Sequence, residues 1–196
     1  MDYSEIFTKN GVIILVDGIL YANNAGTLIR NTSLLGAKSL IFSPLDQDRI
    51  SKIKKKNKGY MLKGFTKFNN NYHYTKTFIK STERYSSRIY LKTDIHFNLG
   101  VKEVLNSAIE NDYDILMLED YVEADIAFTN LKAKKLMFIL GNETLGVGKE
   151  VKKFYDAGYI KPLYIPSCLK GSTSYNVANA GIIAMYERFR QVGCEK

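Results

Sequence analysis

Short apolar runs alternate with longer amphipathic segments along most of this chain. The apolar runs are typical of buried strands and lie at 12–16, 39–42, 114–118, 136–140 and 163–165. Segments with apolar residues at helical spacing separate them and predict helices at 25–35, 50–58, 101–110, 148–155 and 175–192. The pattern therefore predicts an α/β fold, with a parallel sheet flanked by helices on both faces.

The stretch 63–98 is the least regular part of the chain, and within it we predict only a short strand at 89–91. No repeat, low-complexity linker or break in composition divides the 196 residues. A chain of this length is long enough for one well-buried domain and too short for two of ordinary size. We therefore expect a single domain spanning 1–196.

Composition adds a positive charge and little metal chemistry. The formal net charge of +8 favours a polyanionic partner such as nucleic acid, although a general bias toward Lys, Asn, Ile and Tyr is an alternative explanation. Cys168 and Cys194 form no CxxC pair, and only His73 and His96 could join them, so we expect no metal. The sequence shows neither a membrane-spanning run nor a signal peptide, which predicts a cytoplasmic protein without membrane contact.

Three phrases place small and polar residues where predicted strands end. They are VIILVDGI at 12–19 with NNAGTLIRNTSLLGAKSLIF at 23–42, LGNETLG at 140–146, and IPSCLKGSTSYNVANAG at 165–181. Ligands of open α/β sheets bind outside the carboxyl ends of the strands. The phrases therefore indicate a ligand site at that edge of the sheet.

The Gly-rich segment GNETLGVGK does not have the features of a nucleotide phosphate loop. A Walker A motif needs a glycine five positions before the Gly-Lys pair, where this chain has Glu143, and a Ser or Thr where it has Glu150. No GxGxxG follows the first strand either, which disfavours a dinucleotide fold. What remains is a tight turn that carries Asn142 and Glu143.

Taken together and in this order, the three phrases resemble the SpoU/TrmH family of the SPOUT class, RNA ribose 2′-O-methyltransferases that use S-adenosylmethionine. The resemblance covers roughly residues 10–42 and 113–190. It implies a C-terminal trefoil knot, which is rare among folds, a homodimer, and chemistry without a metal. It also implies a compact member of the family, without a separate N-terminal RNA-binding domain.

The resemblance carries over onto particular residues. The catalytic set it implies is Asn24, Arg30, Glu143, Ser174 and Asn176. The cofactor-binding set it implies is Leu140, Gly141, Asn142, Gly146, Ile165, Pro166, Ser174 and Tyr175. Two positions depart from the family pattern, since Tyr175 replaces the usual Leu and Ala178 stands where many members carry Ser. The bulk of Tyr175 puts the detailed cofactor contacts in question.

Each site residue also has a role that its type and position suggest. An arginine is almost never deprotonated at neutral pH, so we favour Arg30 as an anchor for the target nucleotide's phosphate over the role of base. Glu143 could support the arginine or the cofactor, or could simply be an acid at a helix N-terminus. Ser174 is expected as the N-cap of the last helix and Asn176 in its first turn.

Two surface features each have two possible explanations. The last helix carries a strip of small residues, Ala180, Gly181 and Ala184, which suits a homodimer seam, although packing within the chain is the favoured explanation. A basic stretch is followed by aromatic residues and could bind RNA or be an ordinary solvated helix before a core strand. Its members are Lys52, Lys54, Lys55, Lys56, Lys58 and Lys63, with Tyr60, Phe65, Phe68, Tyr72 and Tyr74.

The expected function follows from the resemblance. It is methyl transfer from S-adenosylmethionine to a ribose 2′-hydroxyl of structured RNA, with tRNA favoured over rRNA. The alternative is a non-catalytic RNA-binding protein that keeps the knotted fold.

Overall fold

The computed structural model describes residues 4–56, 58–87, 93–119, 124–168 and 174–193. The strands are β1 Gly11–Asp17, β2 Ala37–Ser43, β3 Leu45–Asp46, β4 Phe65–Phe68, β5 Asn71–Tyr74, β6 Asp94–Phe97, β7 Asp114–Leu118, β8 Lys135–Leu140 and β9 Lys161–Leu163. The helices are α1 Ser4–Phe7, α2 Ala22–Leu34, α3 Gln47–Lys55, α4 Lys76–Tyr85, α5 Val101–Glu110, α6 Lys149–Asp156 and α7 Val177–Val192. Two short 3-10 helices lie at Gly59–Gly64 and Ile126–Phe128.

Six of the strands form a parallel sheet in the order β6-β2-β1-β8-β7-β9. The central strand β1 is apolar along its length because both of its faces are covered. Ile14 and Val16 point into a core shared with α2 and α7, whereas Ile13 and Leu15 point into a core shared with α1, α5 and α6. The predicted parallel α/β fold is therefore confirmed.

A smaller antiparallel sheet, in the order β3-β5-β4, follows the carboxyl end of β2. Its inner side is aromatic, and the ring centroids of Phe65, Tyr74 and Phe78 lie 4.8 to 5.8 Å apart. Asn98, just after β6, accepts a hydrogen bond from the Tyr74 amide at 2.7 Å and donates to its carbonyl at 3.3 Å. The small sheet is thus fastened to the carboxyl edge of the large one.

Most predicted elements appear within a few residues of the expected bounds, and α5 and β7 match to the residue. The last strand is a correction, since it covers Lys161–Leu163 and not 163–165. Leu163 is the last residue to pair with β7, and Tyr164 instead forms an isolated bridge with Asp125. The predicted strand at 89–91 lies outside the described residues.

Two of the three small residues on α7, Gly181 and Ala184, are buried within the chain. A Cβ at Gly181 would lie 2.5 Å from a methyl of Leu28 and 2.9 Å from one of Leu140, and Ala184 is fully buried. The favoured explanation, packing within the chain, is confirmed for these two residues. The homodimer stays a prediction, as does the knot, since the chain between Cys168 and Ser174 lies outside the described residues. In the described part of the chain, no helix is long and apolar enough to span a bilayer.

Candidate functional site

A cavity of about 290 Å³ opens at the carboxyl ends of β7, β8 and β9. The predicted cofactor-binding residues that line it are Leu140, Gly141, Asn142, Gly146, Ile165, Ser174 and Tyr175. Pro166 lies beside the cavity, where its carbonyl accepts a hydrogen bond of 3.0 Å from the Tyr175 hydroxyl. The structure therefore brings two distant phrases together, and their contact with a cofactor stays a prediction.

The turn at 141–146 forms one wall of the cavity. Asn142 and Gly146 exchange backbone hydrogen bonds of 2.8 and 3.0 Å, and the Asn142 side chain accepts the Thr144 amide at 2.9 Å and donates to the Gly18 carbonyl. Gly141 has to be glycine, because a Cβ there would lie 2.7 Å from the carbonyl carbon of Gly146. Asn142 thus ties the turn to the end of β1 and fixes the wall.

Three predicted site residues form one hydrogen-bonded series, which we call the polar chain: Glu143, Asn24 and Asn176. Glu143 Oε1 accepts from Asn24 Nδ2 at 3.0 Å, and Asn24 Oδ1 accepts from Asn176 Nδ2 at 3.2 Å. Asn176 Oδ1 in turn accepts from the Ala178 amide at 2.9 Å, which makes Asn176 the N-cap of α7. The predicted cap, Ser174, is therefore wrong in that role and instead lines the cavity.

Glu143 lies at the N-terminus of α2 and not at that of the helix that follows it in sequence. Its Oε2 accepts from the Leu20 amide at 2.9 Å, and the N-cap residue Tyr21 makes no side-chain capping bond. The carboxylate accepts from the residue before the N-cap and brings negative charge to the helix N-terminus, which the helix dipole favours. Burial raises the pKa of Glu143, although the hydrogen bond from Asn24 opposes the shift.

Arg30 lies six residues along α2 from Asn24, or about 9 Å at 1.5 Å per residue. Its side chain is exposed, and its Nη1 donates to Ser87 Oγ at 2.8 Å. The structure thus brings Asn24, Glu143 and Asn176 together and places Arg30 apart from them, on the outer side of the helix. Of the roles expected for Glu143, the structure shows an acid at a helix N-terminus, that of α2, and it adds a contact with Asn24 that was not expected. Arg30 donates to Ser87 instead.

A buried ion pair lies beneath the site. Arg49 Nη2 meets Asp17 Oδ1 at 2.7 Å, and Arg49 Nε meets Asp46 Oδ2 at 2.7 Å. The other oxygen of Asp17 accepts from the Gly148 amide at 2.7 Å. Burial disfavours the charged guanidinium, but the two carboxylates outweigh it, and the pKa of Arg49 is raised. The network joins β1, α3 and the start of α6.

Sequence reasoning missed Glu119 and Arg49. Glu119 lines the cavity immediately after β7, and the rule applied to the ends of other strands could have found it. Arg49 stands at the edge of a lysine-rich stretch and carries no local sign that it is buried. Among the described residues, no group of three or more His, Cys, Asp or Glu could hold a metal ion.

Fold and cavity place the protein among the open-sheet α/β proteins whose ligand site lies at the carboxyl edge of the strands. The chain belongs to the SpoU rRNA Methylase family, whose model matches residues 11–186. The resemblance inferred from the three phrases is therefore confirmed.

Solved structures with the same fold have low sequence identity to this chain. An AdoMet-bound rRNA methyltransferase from Sinorhizobium meliloti has a TM-score of 0.68 and 18% identity over 94% of this chain and 58% of that one. A TrmH/SpoU tRNA modifying enzyme from A. aeolicus has a TM-score of 0.63 and 18% identity over 96% and 79%. A putative RNA methyltransferase from Bacillus anthracis has a TM-score of 0.64 and 21% identity over 95% and 99%.

The chain spans less than two thirds of the length of the Sinorhizobium protein. At these identities the likeness shows the fold. No curated protein matches the chain.

Proposed function

We propose that this protein transfers the methyl group of S-adenosylmethionine to a ribose 2′-hydroxyl of structured RNA, with tRNA favoured over rRNA. The observation that carries the proposal is a cavity at the ends of β7, β8 and β9 in which the turn bearing Glu143 meets the start of α7. Membership of the SpoU rRNA Methylase family supports it. So does the fold shared with an AdoMet-bound rRNA methyltransferase.

The cavity residues fit this cofactor. Leu118 and Val177 offer aliphatic surface for the faces of an adenine ring, and the 141–146 turn offers backbone groups for its edge. S-adenosylmethionine supplies a methyl group on a cationic sulfur. The Glu119 carboxylate in the cavity wall favours a positive charge or accepts hydrogen bonds from ribose hydroxyls.

The reaction asks the protein mainly for positioning. The ribose oxygen forms a bond to the methyl carbon as the carbon–sulfur bond breaks, and the hydroxyl proton leaves to water. Holding the reactants in line is worth about 7 to 11 kcal/mol in well-oriented systems. The polar chain fixes the N-termini of α2 and α7 against the cavity wall. Glu143 acts here as a positioning residue, since it is half-buried and its carboxylate already accepts hydrogen bonds from Asn24 and the Leu20 amide.

In this proposal Arg30 anchors the target nucleotide. Its exposed guanidinium can exchange a neutral hydroxyl, Ser87 Oγ, for a phosphate, and the charge-assisted contact is the stronger one. The target ribose would then lie between the Arg30 face of α2 and the cavity. The same Arg30–Ser87 contact favours the rival function, a non-catalytic RNA-binding protein, because the arginine is not directed at the polar chain.

The test is methyl incorporation from labelled S-adenosylmethionine into separated, unmethylated tRNA and rRNA transcripts. We expect label in tRNA, recovered in alkali-resistant dinucleotides, and a loss of about 100-fold for Arg30→Ala. Arg84→Ala, which removes an exposed arginine of α4, is the matched control and should keep the activity. Label recovered on bases would contradict ribose transfer.

Calorimetry with S-adenosylmethionine separates the rival. A catalyst must bind the cofactor, so absence of heat at high protein concentration, with and without the RNA transcripts, would favour the non-catalytic function. The proposal also includes a homodimer, as the family resemblance implies. Sedimentation should therefore give twice the chain mass of 22.3 kDa.

A further inference from the structure

The positive charge of this protein is concentrated in one segment. Residues 50–82 contain nine lysines and no aspartate or glutamate, although the whole chain has a net charge of only +8. The rest of the chain is therefore close to neutral. A general compositional bias toward lysine would spread the charge along the chain, so the concentration needs a local explanation.

We call the surface formed by the end of α3, the 3-10 helix Gly59–Gly64 and the β4–β5 hairpin the basic surface. Lys55, Lys63 and Lys67 are exposed on it, and within the described residues no lysine of the segment forms a salt bridge. Lysines elsewhere do pair, as Lys153 does with Glu150 and Lys161 with Asp114. Unneutralised lysines in a group attract a polyanion.

The structure also sorts the aromatic residues of this segment. Phe65 and Tyr74 are buried in the core, whereas Tyr60 is 61% and Phe68 60% exposed. Phe68 is supported edge-on by His73, with ring centroids 5.2 Å apart. Exposed rings among lysines are suited to stacking on the unpaired bases of a single strand. Duplex RNA keeps its bases stacked inside, so it would use the lysines and leave these rings unused.

The basic surface adjoins the candidate site. Leu45 of β3 packs against Gly18, and the carbonyl of Gly18 holds Asn142 in the cavity wall. β3 pairs with β5, and β5 pairs with β4. The 3-10 helix that carries Tyr60 leads directly into β4. The exposed Tyr60 ring therefore belongs to the small sheet's segment, which adjoins the wall of the candidate site.

We propose that the basic surface binds unpaired nucleotides next to the target ribose, with Tyr60 stacking on a base and the exposed lysines neutralising the flanking phosphates. This inference rests on the proposed function, since it assigns where that reaction's RNA lies. Phe68, further out on the hairpin, extends the stacking surface to a second base.

The experiment measures binding of fluorescein-labelled oligouridylate by anisotropy across a salt series, with an RNA duplex as the second probe. Tyr60→Ala should weaken oligouridylate binding roughly 5- to 150-fold, the range for one stacked base, and leave duplex binding nearly unchanged. Tyr186→Ala, which removes a ring 58% exposed on α7, is the matched control and should bind like wild type. Because both rings are largely exposed, both variants should fold normally, which thermal unfolding checks.

The charge is tested with a triple variant, Lys55→Gln, Lys63→Gln and Lys67→Gln. Its slope of log affinity against log salt should fall by about 2, since each phosphate contact on a single strand contributes about 0.7. The control variant carries Lys132→Gln, Lys134→Gln and Lys152→Gln, which removes the same charge from exposed positions elsewhere. Equal losses in the two variants would overturn the inference, because binding would then follow total charge.

Two further measurements, cofactor binding and methyl incorporation, distinguish a failure of this inference from a failure of the proposed function. If wild type methylates RNA but Tyr60→Ala and the first triple variant bind oligouridylate as wild type does, the inference fails and the proposed function stands. If wild type does not bind S-adenosylmethionine and does not incorporate label, both the inference and the proposed function fail. Weaker RNA binding with unchanged calorimetry for the cofactor supports the inference.

Discussion

The carboxyl edge of the large sheet carries two neighbouring regions of opposite construction. Around the cavity, polar side chains are partnered, as Glu143 is with Asn24 and Leu20, and as Asn142 is with Gly18 and Thr144. On the basic surface, lysines lie in solvent without an acidic partner among the described residues, and aromatic rings are exposed. The polar groups around the cavity stabilise the fold, whereas those of the basic surface are available to a ligand.

The difference follows from what each region is proposed to do. Methyl transfer needs reactants held in line, and partnered, buried groups give fixed positions. Binding of a polyanion needs charge that solvent and ligand can reach, and it tolerates mobile side chains. A substitution should therefore change stability near the cavity and RNA affinity on the basic surface. The predictions below test that division, from the largest expected effect to the smallest.

Arg49 and Lys55 give the sharpest contrast, since both are cations of α3. Arg49→Met leaves the buried Asp17 carboxylate without its ion pair, which should lower the free energy of unfolding by about 3 to 5 kcal/mol. Lys55→Met removes an exposed charge and should change it by no more than about 0.5 kcal/mol. Urea unfolding measures both. Similar changes in unfolding free energy for the two variants would contradict the division between the two regions.

Asn24 tests whether the polar chain works as a unit. Asn24→Ala removes the donor to the half-buried Glu143 carboxylate and the acceptor for Asn176. The N-termini of α2 and α7 then lose their link, and a misplacement of about 1 Å can cost about 100-fold, so kcat/KM for methyl incorporation should fall by up to about 100-fold. Asn179→Ala, an exposed asparagine one turn into α7, is the control. A loss confined to oligouridylate affinity would place Asn24 with the basic surface instead.

Gly26 tests whether close packing positions α2, which carries both Asn24 and Arg30. A Cβ there would lie 2.3 Å from Cβ of Tyr85 and 2.8 Å from the Thr82 carbonyl oxygen. Gly26→Ala should therefore lower the free energy of unfolding by about 1 to 3 kcal/mol, in spite of alanine's better helix propensity. Gly59→Ala, on the basic surface, meets open space and should be nearly neutral. Thermal unfolding of both variants decides the matter.

Glu143 gives the smallest effect, and its sign is diagnostic. Because burial raises its folded pKa above 4.5, its contribution to stability is present at low pH and is lost as pH rises through the folded pKa. The unfolding free energy of wild type minus that of Glu143→Gln should therefore fall as pH rises above about 4.5. The pKa of Glu187 is lowered by hydrogen bonds from Arg190 and Gln191, so the difference for Glu187→Gln should rise with pH. If the two differences change in the same direction as pH rises, the raised pKa of Glu143 is contradicted.

Local pattern was enough for elements whose own residues specify them. Val101, Val104, Leu105 and Ala108 share one apolar face at helical spacing, and α5 was predicted to the residue. The start of α2 was predicted three residues too late. The Glu143 carboxylate that lies at this N-terminus accepts from the Leu20 amide, and the two residues are 123 positions apart in the sequence. The β4–β5 hairpin was missed as well, since its strands have four residues each and an Asn69 turn at φ 52° joins them.

The candidate site divides in the same way. The sequence by itself determined the α/β fold, the family, and the residues that meet at the carboxyl edge, because hydrophobic period and strand-end chemistry are local properties. Only the tertiary structure decided that Glu143 accepts a hydrogen bond from Asn24, that Arg49 is buried while its lysine neighbours are exposed, and that the small sheet adjoins the site. Those outcomes depend on contacts between distant segments, whose burial and pairing energies no single segment contains.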